Sequence, residues 1–249
     1  MLDNGVIPAT SPSVKSLAIR FKNDIKHQTQ KMKQKIKKTA MWTLSIIVGY
    51  IIVGLIVHHW IIPTKTPEYS NYFKVGKSFH SKLEGLTQTV VRIENGNLMT
   101  DIEIQAKAAG PVTHLHEKFD ETFTVKSGTL SMQYGSEIKK ITAGQTIVIP
   151  KNTPHKPFNE TDSVVVVTSV MPLDFAYCLS QIYPFWDKGE SNSRPPKVLF
   201  QLAVFGDKFD SYPTVDAPPK PVLKTLKILL APTARLIGYK NYNEKFQPK

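Results

Sequence analysis

Three histidines and one acid in the middle of the chain place the strongest constraint on its fold. His114 and His116 are two residues apart, so on a β-strand their side chains point to the same face of the sheet. Glu121 can join them if the chain turns after His116, and His155 can join them from a later strand. Three imidazoles and one carboxylate suit a borderline divalent metal such as Fe, Mn, Ni, Cu or Zn. This pattern predicts strands that converge on a metal site.

Short β-rich runs, separated by turn residues, surround these four side chains. Asn95-Gly96 is a strong hairpin signal between two of the runs. Many short strands with regular turn punctuation are typical of a sandwich or a barrel. The predicted strands cover residues 86–94, 98–106, 121–126, 129–134, 137–141, 146–149, 155–158 and 164–170.

The spacing of these residues resembles the two sequence motifs of the cupin superfamily. The first motif is matched by His114, His116, Glu121 and Gly128, and the second by Gly144, Pro150, Asn152, His155 and Asn159. Two positions depart from the pattern. Gly110 lies closer to the first histidine than the usual opening glycine, and Asn152 stands where the motif has glycine. Asparagine tolerates the left-handed backbone conformation better than most residues, so we expect the turn to survive.

The resemblance implies a mainly β fold: a cupin β-barrel, that is, a double-stranded β-helix with a jelly-roll-like arrangement. His114, His116, Glu121 and His155 would point inward as metal ligands, and Asn159 would be structural. A His-x-His pair alone is often a surface pair without metal, and some cupins have lost the metal, but this chain keeps all four ligand types. Cupins are often dimers, which makes a homodimer an expectation. Candidates to line the cavity or fill the core are Phe119, Phe123, Met132, Ile149 and Phe158.

Residues 41–62 contain no Asp, Glu, Lys or Arg, and a helix of about twenty apolar residues crosses a bilayer. Trp42 and Trp60 flank this run as interfacial anchors would, and Pro63 should end the helix. A buried core helix is the alternative, but it rarely carries so long an uncharged run. A cleaved signal peptide fits poorly, because the leader is long and no small-x-small site follows. We therefore predict an uncleaved signal anchor that crosses the membrane once.

The formal net charge of +12 is concentrated before this run. Nine lysines and arginines against two aspartates give the first forty residues +7, and the rest of the chain is mildly basic. The chain shows no nucleic-acid-binding motif, so the expected partner of the basic segment is an anionic lipid bilayer. A solvated basic helix remains the alternative. The positive-inside rule places the N-terminus in the cytoplasm and the cupin domain on the extracytoplasmic side.

The remaining segments are organised around the barrel. Residues 172–188 are predicted to form an aromatic-rich helix over one end of it. Residues 222–239 form a basic amphipathic stretch, interrupted by Pro232, that either lies on the membrane surface or packs onto the barrel or a partner subunit. The single cysteine, Cys178, excludes an intrachain disulfide. The predicted segments are 1–40 (basic cytoplasmic), 41–62 (transmembrane), 63–85 (linker), 86–171 (cupin barrel) and 172–249 (helical extension).

Three functions are compatible with this organisation. The first is a membrane-anchored, metal-dependent enzyme of oxygenase or isomerase type that acts on an unknown small organic molecule. The second is a non-catalytic small-ligand binding or sensor module at the membrane. The third is a tethered structural or assembly protein that kept the ligand set by descent. The sequence assigns no catalytic residue, because it reveals no acid–base pair beyond the four metal ligands.

Overall fold

The computed structural model describes residues 14–61, 66–187 and 196–249. Pro63, which we predicted to end the apolar helix, lies outside the described residues, as do residues 1–13 and 188–195. The chain divides into two compact units, one ending at Ile52 and the other running from Val53 to Lys249.

The N-terminal helix is continuous across the basic and the apolar segments. Helix α1 spans Val14–Ile56 and passes into a π-helical turn at Val57–Ile61. Good helix formers such as lysine, glutamine and methionine fill the basic segment, and no proline occurs between Val14 and Ile61, so nothing breaks the helix at the change of composition. Its apolar side chains are largely exposed, among them Ile46, Val53 and Ile56. Its apolar part is long enough to span a membrane.

Two antiparallel sheets form the centre of the second unit. The six-stranded sheet has the order β1-β2-β3-β10-β5-β8, and the five-stranded sheet has the order β11-β4-β9-β6-β7. Asn95 and Gly96 both have positive φ and join β2 to β3, which confirms the predicted hairpin. The strands are β1 (Ser78–Ser81), β2 (Leu86–Glu94), β3 (Asn97–Ile104), β4 (His114–Leu115), β5 (Glu121–Ser127), β6 (Thr129–Tyr134), β7 (Glu137–Thr142), β8 (Thr146–Ile149), β9 (His155–Phe158), β10 (Val165–Pro172) and β11 (Tyr212–Pro213).

Three described strands lie outside the predicted ranges: β4, the short strand assumed for His114, and β1 and β11. Strand β1 falls in the segment interpreted as a linker, which also contains the short helix α2 (Tyr69–Tyr72). Its burial alternates with period two, and it pairs with the whole first half of β2. Strand β11 is only two residues long and pairs with β4, so no periodic pattern in the sequence announces it.

Helices and short helical turns make up most of the C-terminal extension. Helix α3 (Leu173–Trp186) confirms the predicted aromatic helix, and helix α4 (Pro196–Phe205) follows it. Helix α5 (Lys220–Leu236) continues through Pro232, so the predicted interruption there is wrong. Proline removes one helical hydrogen bond, but here its ring packs against Gly54, where a Cβ would lie 2.3 Å from the proline Cγ.

The core of the second unit has two parts. Leu86, Ile104, Phe123, Leu130 and Val167 belong to a cluster between the two sheets. The other cluster joins one end of the sheets to α3 and contains buried aromatic residues, including Tyr72, Phe79, Phe175, Tyr177 and Tyr183. Helix α3 is therefore an integral part of the folded unit.

Candidate metal centre

The two sheets bring the four predicted ligand residues together. His114 on β4 pairs directly with His155 at the start of β9, and His116 follows β4 by one residue. Glu121 begins β5 in the other sheet. Their candidate ligand atoms all lie within 4.8 Å of one another, and all four residues are buried, with exposed fractions between 1% and 8%.

Backbone carbonyls orient all three imidazoles. Nδ1 of His114 lies 2.9 Å from Val112 O, and Nδ1 of His155 lies 2.9 Å from Thr153 O. Nδ1 of His116 makes a short hydrogen bond with Asp210 O. A carbonyl oxygen can only accept, so each Nδ1 carries the proton and donates. This leaves the Nε2 atoms as the ligand atoms directed at the centre, as in protein metal sites whose other ring nitrogen is held by a second partner.

Electrostatic coupling ties Glu121 to two of the histidines. Its Oε2 lies 2.9 Å from His155 Nε2 and 3.4 Å from His116 Nε2, and the latter atom is buried without a hydrogen-bond partner. Burial alone would raise the pKa of Glu121, but its hydrogen bonds and charge interactions with these histidines hold that pKa well below its usual range. Burial would lower the pKa of His155, but the hydrogen bond and charge of Glu121 raise it overall.

These features fit a divalent transition metal. Burial, followed by the neighbouring His116 and His155, lowers the pKa of His114 to about 3, so its imidazole is neutral and able to coordinate at physiological pH. A bound cation would supply a partner for the orphaned His116 Nε2 and take the place of the proton between His155 and Glu121. His114, His116, Glu121 and His155 are the residues that would hold it.

Aromatic side chains enclose one side of the cluster. The ring of Phe119 stacks on His116 with centroids 4.3 Å apart, and Phe175 of α3 meets the same imidazole edge-on at 4.9 Å. Phe209 extends this wall, 5.6 Å from Phe175. Of the candidate lining residues, Phe119 therefore contacts a ligand residue, whereas Phe123, Met132 and Ile149 belong to the core between the sheets, with Phe158 only partly buried.

Asp210 is a contributor that our sequence reasoning missed. Its carbonyl orients His116, and its carboxylate Oδ2 accepts hydrogen bonds from the backbone N–H groups of Glu117 and Lys118 at 2.9 and 2.7 Å. The residue is 3% exposed. One residue from the C-terminal extension thus fixes the ring of a candidate ligand through its carbonyl and the backbone directly after that ligand through its side chain. Asp210 lies 94 residues beyond His116, and no local motif marks it.

Further contacts hold the C-terminal extension beside β4, at the same edge of the five-stranded sheet. Tyr212 and Pro213 of β11 pair with Leu115 and His114. The carboxylate of Glu117 bridges Lys220 and Lys224 of α5, each at 2.6 Å. Of the two positions predicted for the amphipathic stretch, these contacts show packing beside the sheets for the first half of α5.

Two motif residues hold the turns that position the ligands. Asn152 has φ +65°, which confirms that asparagine adopts the left-handed turn, and its N–H donates to His116 O at 2.6 Å. Asn159 has a structural role, as the resemblance implied: its amide Nδ2 donates to Ile104 O, Gln105 O and Ser163 O.

Gly110 lies in the loop before His114. It has φ +67°, and a Cβ there would lie 2.0 Å from Pro157 O.

A buried acid outside the ligand set was also missed. Glu84, in the turn between β1 and β2, is 7% exposed, and burial raises its pKa from 4.5 to about 8. A hydrogen bond with Tyr183 of α3 opposes that rise. Tyr183 also accepts from Gln88 Nε2 at 2.9 Å, and Gln88 accepts from Thr100 at 3.3 Å. The charge of Glu121 contributes to the raised pKa of Tyr183.

Comparison with known proteins places this centre in a family context. A family model described as "Cupin domain" matches residues 100–171, which include all four candidate ligands. No curated protein sequence matches the chain significantly.

Solved cupin structures are also similar to parts of the chain. A cupin-2 domain protein from Shewanella frigidimarina is 26% identical, with 34% of this chain and 78% of that chain covered and a TM-score of 0.31. An RmlC-like cupin from the same organism is 17% identical, with 41% and 91% covered and a TM-score of 0.35. A sugar phosphate isomerase of the cupin superfamily from Silicibacter pomeroyi is 16% identical, with 39% and 68% covered and a TM-score of 0.32. The match of the family model and the two antiparallel sheets identify residues 100–171 as a cupin domain.

Proposed function

We propose that the chain is a membrane-anchored cupin protein that binds a divalent transition metal and uses it to transform a small organic molecule. One observation carries this proposal: four buried ligand side chains converge, and all three imidazoles have their Nδ1 atoms occupied by carbonyls. Packing of a core alone does not favour this arrangement. A buried polar atom without a hydrogen-bond partner, such as His116 Nε2, costs free energy. A metal ion removes that cost.

The proposed chemistry belongs to the oxygenase or isomerase type. A divalent metal held here would supply a Lewis acid for a carbonyl or enol oxygen, or a site for dioxygen. The protein would contribute the negative charge of Glu121, which balances part of the cation, and the neutral imidazole of His114. The rings of Phe119 and Phe175 exclude water on one side of His116, which strengthens electrostatic interactions at the centre.

Membrane anchoring is supported by the length and exposure of α1. Its apolar side chains lie exposed where a soluble helix would need a partner, and the lysine-rich stretch precedes them. We propose that this helix crosses the bilayer with its N-terminus in the cytoplasm and the cupin domain on the other side. Lipid would then cover the apolar surface.

A non-catalytic binding or sensor module is the second candidate. The observation that favours it is the enclosure of the centre, since no ligand residue is more than 8% exposed and the C-terminal extension is fastened beside it. A closed site suits retention of a bound molecule as well as it suits chemistry on one. Turnover separates the two candidates.

Elemental analysis of the full chain, purified in neutral detergent, tests the metal site. We expect close to one equivalent of Fe, Mn, Ni, Cu or Zn in the wild type and loss of it in the double variant His114→Ala/His155→Ala. His80→Ala is the matched control, because His80 is exposed on β1 and outside the cluster. A wild type that holds no metal after reconstitution, or a double variant that keeps it, would refute the metal centre.

A substrate panel then tests catalysis. The loaded protein is incubated with small carbonyl and enol compounds, with and without dioxygen, and products are followed by mass spectrometry. Metal-dependent turnover supports the enzyme. Saturable binding of a compound, with no product at any metal loading, supports the binding module.

A further inference from the structure

A cavity of about 180 Å³ lies away from the metal centre, beside the π-helical turn that ends the apolar helix. Its wall combines polar and apolar side chains from α4, α5 and the neighbouring segments. Those that matter for its chemistry are His58, Val204, Phe205, Lys208, Arg235 and Asn241. None of the functions considered so far uses these residues.

Tight packing fixes the position of this cavity relative to the end of the apolar helix. Gly54 lies against the ring of Pro232, and only a glycine allows that approach, because an added Cβ would lie 2.3 Å from Pro232 Cγ. Arg235 lies one helical turn beyond Pro232 on α5. His58 in the last part of the apolar run also lines the cavity, so the cavity lies beside the end of that run. If the apolar helix crosses a bilayer as proposed, this end of the run is the one that approaches the lipid headgroups.

Arg235 is a partly buried cation whose charge is not balanced. Its Nε atom is buried and has no hydrogen-bond partner, and within the described parts of the chain it forms no ion pair. Burial lowers its pKa, and no neighbouring acid opposes that effect. A desolvated guanidinium without an anion is costly, so an anion that enters the cavity would be bound favourably.

The other charged groups around the cavity leave this positive charge in place. Lys208 is paired with Asp174 at 3.0 Å, so these two charges largely cancel. Tyr69 donates a short hydrogen bond to the same carboxylate, which is therefore satisfied without Arg235. The net charge facing the cavity is thus positive and is centred on Arg235.

We propose that this cavity binds a phosphate-bearing anion, with Arg235 as its principal anchor and an acidic phospholipid headgroup as the source that best fits its surroundings. The planar guanidinium can donate two parallel hydrogen bonds to phosphate oxygens. The side-chain amide of Asn241 offers a further donor, and Val204 and Phe205 provide an apolar wall suited to the start of an acyl chain. Only the lipid source rests on the proposed membrane placement; the phosphate chemistry does not.

Calorimetric titration of the full chain in neutral maltoside detergent tests the proposal. Three soluble probes are used: dihexanoyl phosphatidylglycerol, dihexanoyl phosphatidylcholine and inorganic phosphate. We expect one equivalent of phosphatidylglycerol to bind and phosphatidylcholine to bind more weakly. Phosphatidylglycerol binding tighter than that of phosphate identifies a lipid site, whereas equal binding identifies a site for free phosphate or a phosphorylated solute.

Variants connect any binding to the cavity. Arg235→Gln should weaken binding about tenfold or more, since it removes a charge-assisted bidentate contact. Arg92→Gln is the matched control, because Arg92 pairs with the exposed Glu94 on a distant hairpin. Thermal melting of each variant checks that it folds. If Arg235→Gln does not fold, Arg235→Lys replaces it as the test. This variant keeps the charge but loses the paired N–H donors of the guanidinium, so it should bind with intermediate affinity.

Several outcomes would overturn the proposal. They are the absence of saturable binding by both anionic probes, equal binding of phosphatidylcholine and phosphatidylglycerol, and variants of Arg235 that bind like the wild type. Metal content is measured on the same samples. Failure of the metal centre would therefore appear as missing metal with anion binding intact, and failure of the anion site would appear as the reverse.

Discussion

Replacing Glu84 by glutamine should stabilise the protein at neutral pH. The glutamate is buried in the turn between β1 and β2, where desolvation raises its pKa from 4.5 to about 8. The negative charge of the neighbouring Asp187 adds to this rise, and the hydrogen bond with Tyr183 opposes it. Glutamine has nearly the same shape and is never charged, so it fits the site in the form that the folded protein prefers.

The size of the effect depends on pH. Below about pH 4.5 the carboxyl group is neutral in both the folded and the unfolded chain, so glutamate and glutamine should be similar. Between pH 4.5 and 8 the unfolded chain releases the proton while the folded chain keeps it, so the stability of the wild type falls as pH rises. At pH 7 this loss amounts to about 3 kcal/mol. The glutamine variant avoids this loss of stability. Its net gain differs from that loss by the difference in strength between the hydrogen bonds that glutamate and glutamine form with Tyr183.

Thermal unfolding, followed by near-ultraviolet circular dichroism at several pH values from 5 to 7.5, measures this difference. For a unit of this size, about 3 kcal/mol corresponds to a rise in melting temperature of roughly 6–12 °C at pH 7, shrinking towards pH 5. Glu103→Gln, at an exposed position on β3, should leave the melting temperature unchanged. A difference between Glu84→Gln and the wild type that stays constant across this pH range would refute the reasoning.

Three further substitutions probe the metal centre and its supports. Asp210→Ala should weaken metal binding about 10- to 100-fold, because the backbone after His116 loses its two carboxylate contacts; an unchanged metal affinity in a competition titration would contradict this role. Asn152→Ala should lower the free energy of unfolding by about 1 kcal/mol, because alanine is strained at φ +65°, whereas Asn152→Gly should not lower it. Denaturant titrations in which the alanine and glycine variants behave alike would argue against backbone strain. Gly110→Ala should prevent normal folding, because its Cβ would meet Pro157 O at 2.0 Å; a soluble variant with wild-type melting temperature would exclude that clash.

Local sequence patterns and motif spacing predicted most of the described strands and the four candidate ligands. Turn residues such as Asn95 and Gly96 bound the strands directly, and a two-residue period defines which side chains share a face. His114 and His116 therefore lie on one side of the chain in the structure, 4.9 Å apart between ring centroids. The short strands β1 and β11 were not predicted, because their formation depends on pairing with other strands rather than on their own composition.

The supports of the site could not be predicted in the same way. Asp210 acts on His116 through a backbone carbonyl, and every residue has one, so residue type carries no signal for that contact. Glu84 looks like an ordinary surface acid in the sequence, and its raised pKa arises chiefly from burial, to which the charge of Asp187 adds. Pro232 lies inside α5 with its ring against Gly54, which is far away in sequence, so local pattern does not reveal this contact.

The contact between His116 and Asp210 also sets an order of events during synthesis. The ring nitrogen and the carbonyl that orients it are separated by 94 residues, and β11 must pair with β4 on the same edge. A ribosome adds about 5–20 residues per second, so the four ligands emerge several seconds before the segment that fixes one of them. Over that interval the nascent chain would offer metal an incompletely oriented binding site. If the candidate centre binds metal as proposed, we expect its full affinity to arise only after the extension has docked, and metal acquisition would then be a late step in the biogenesis of this protein.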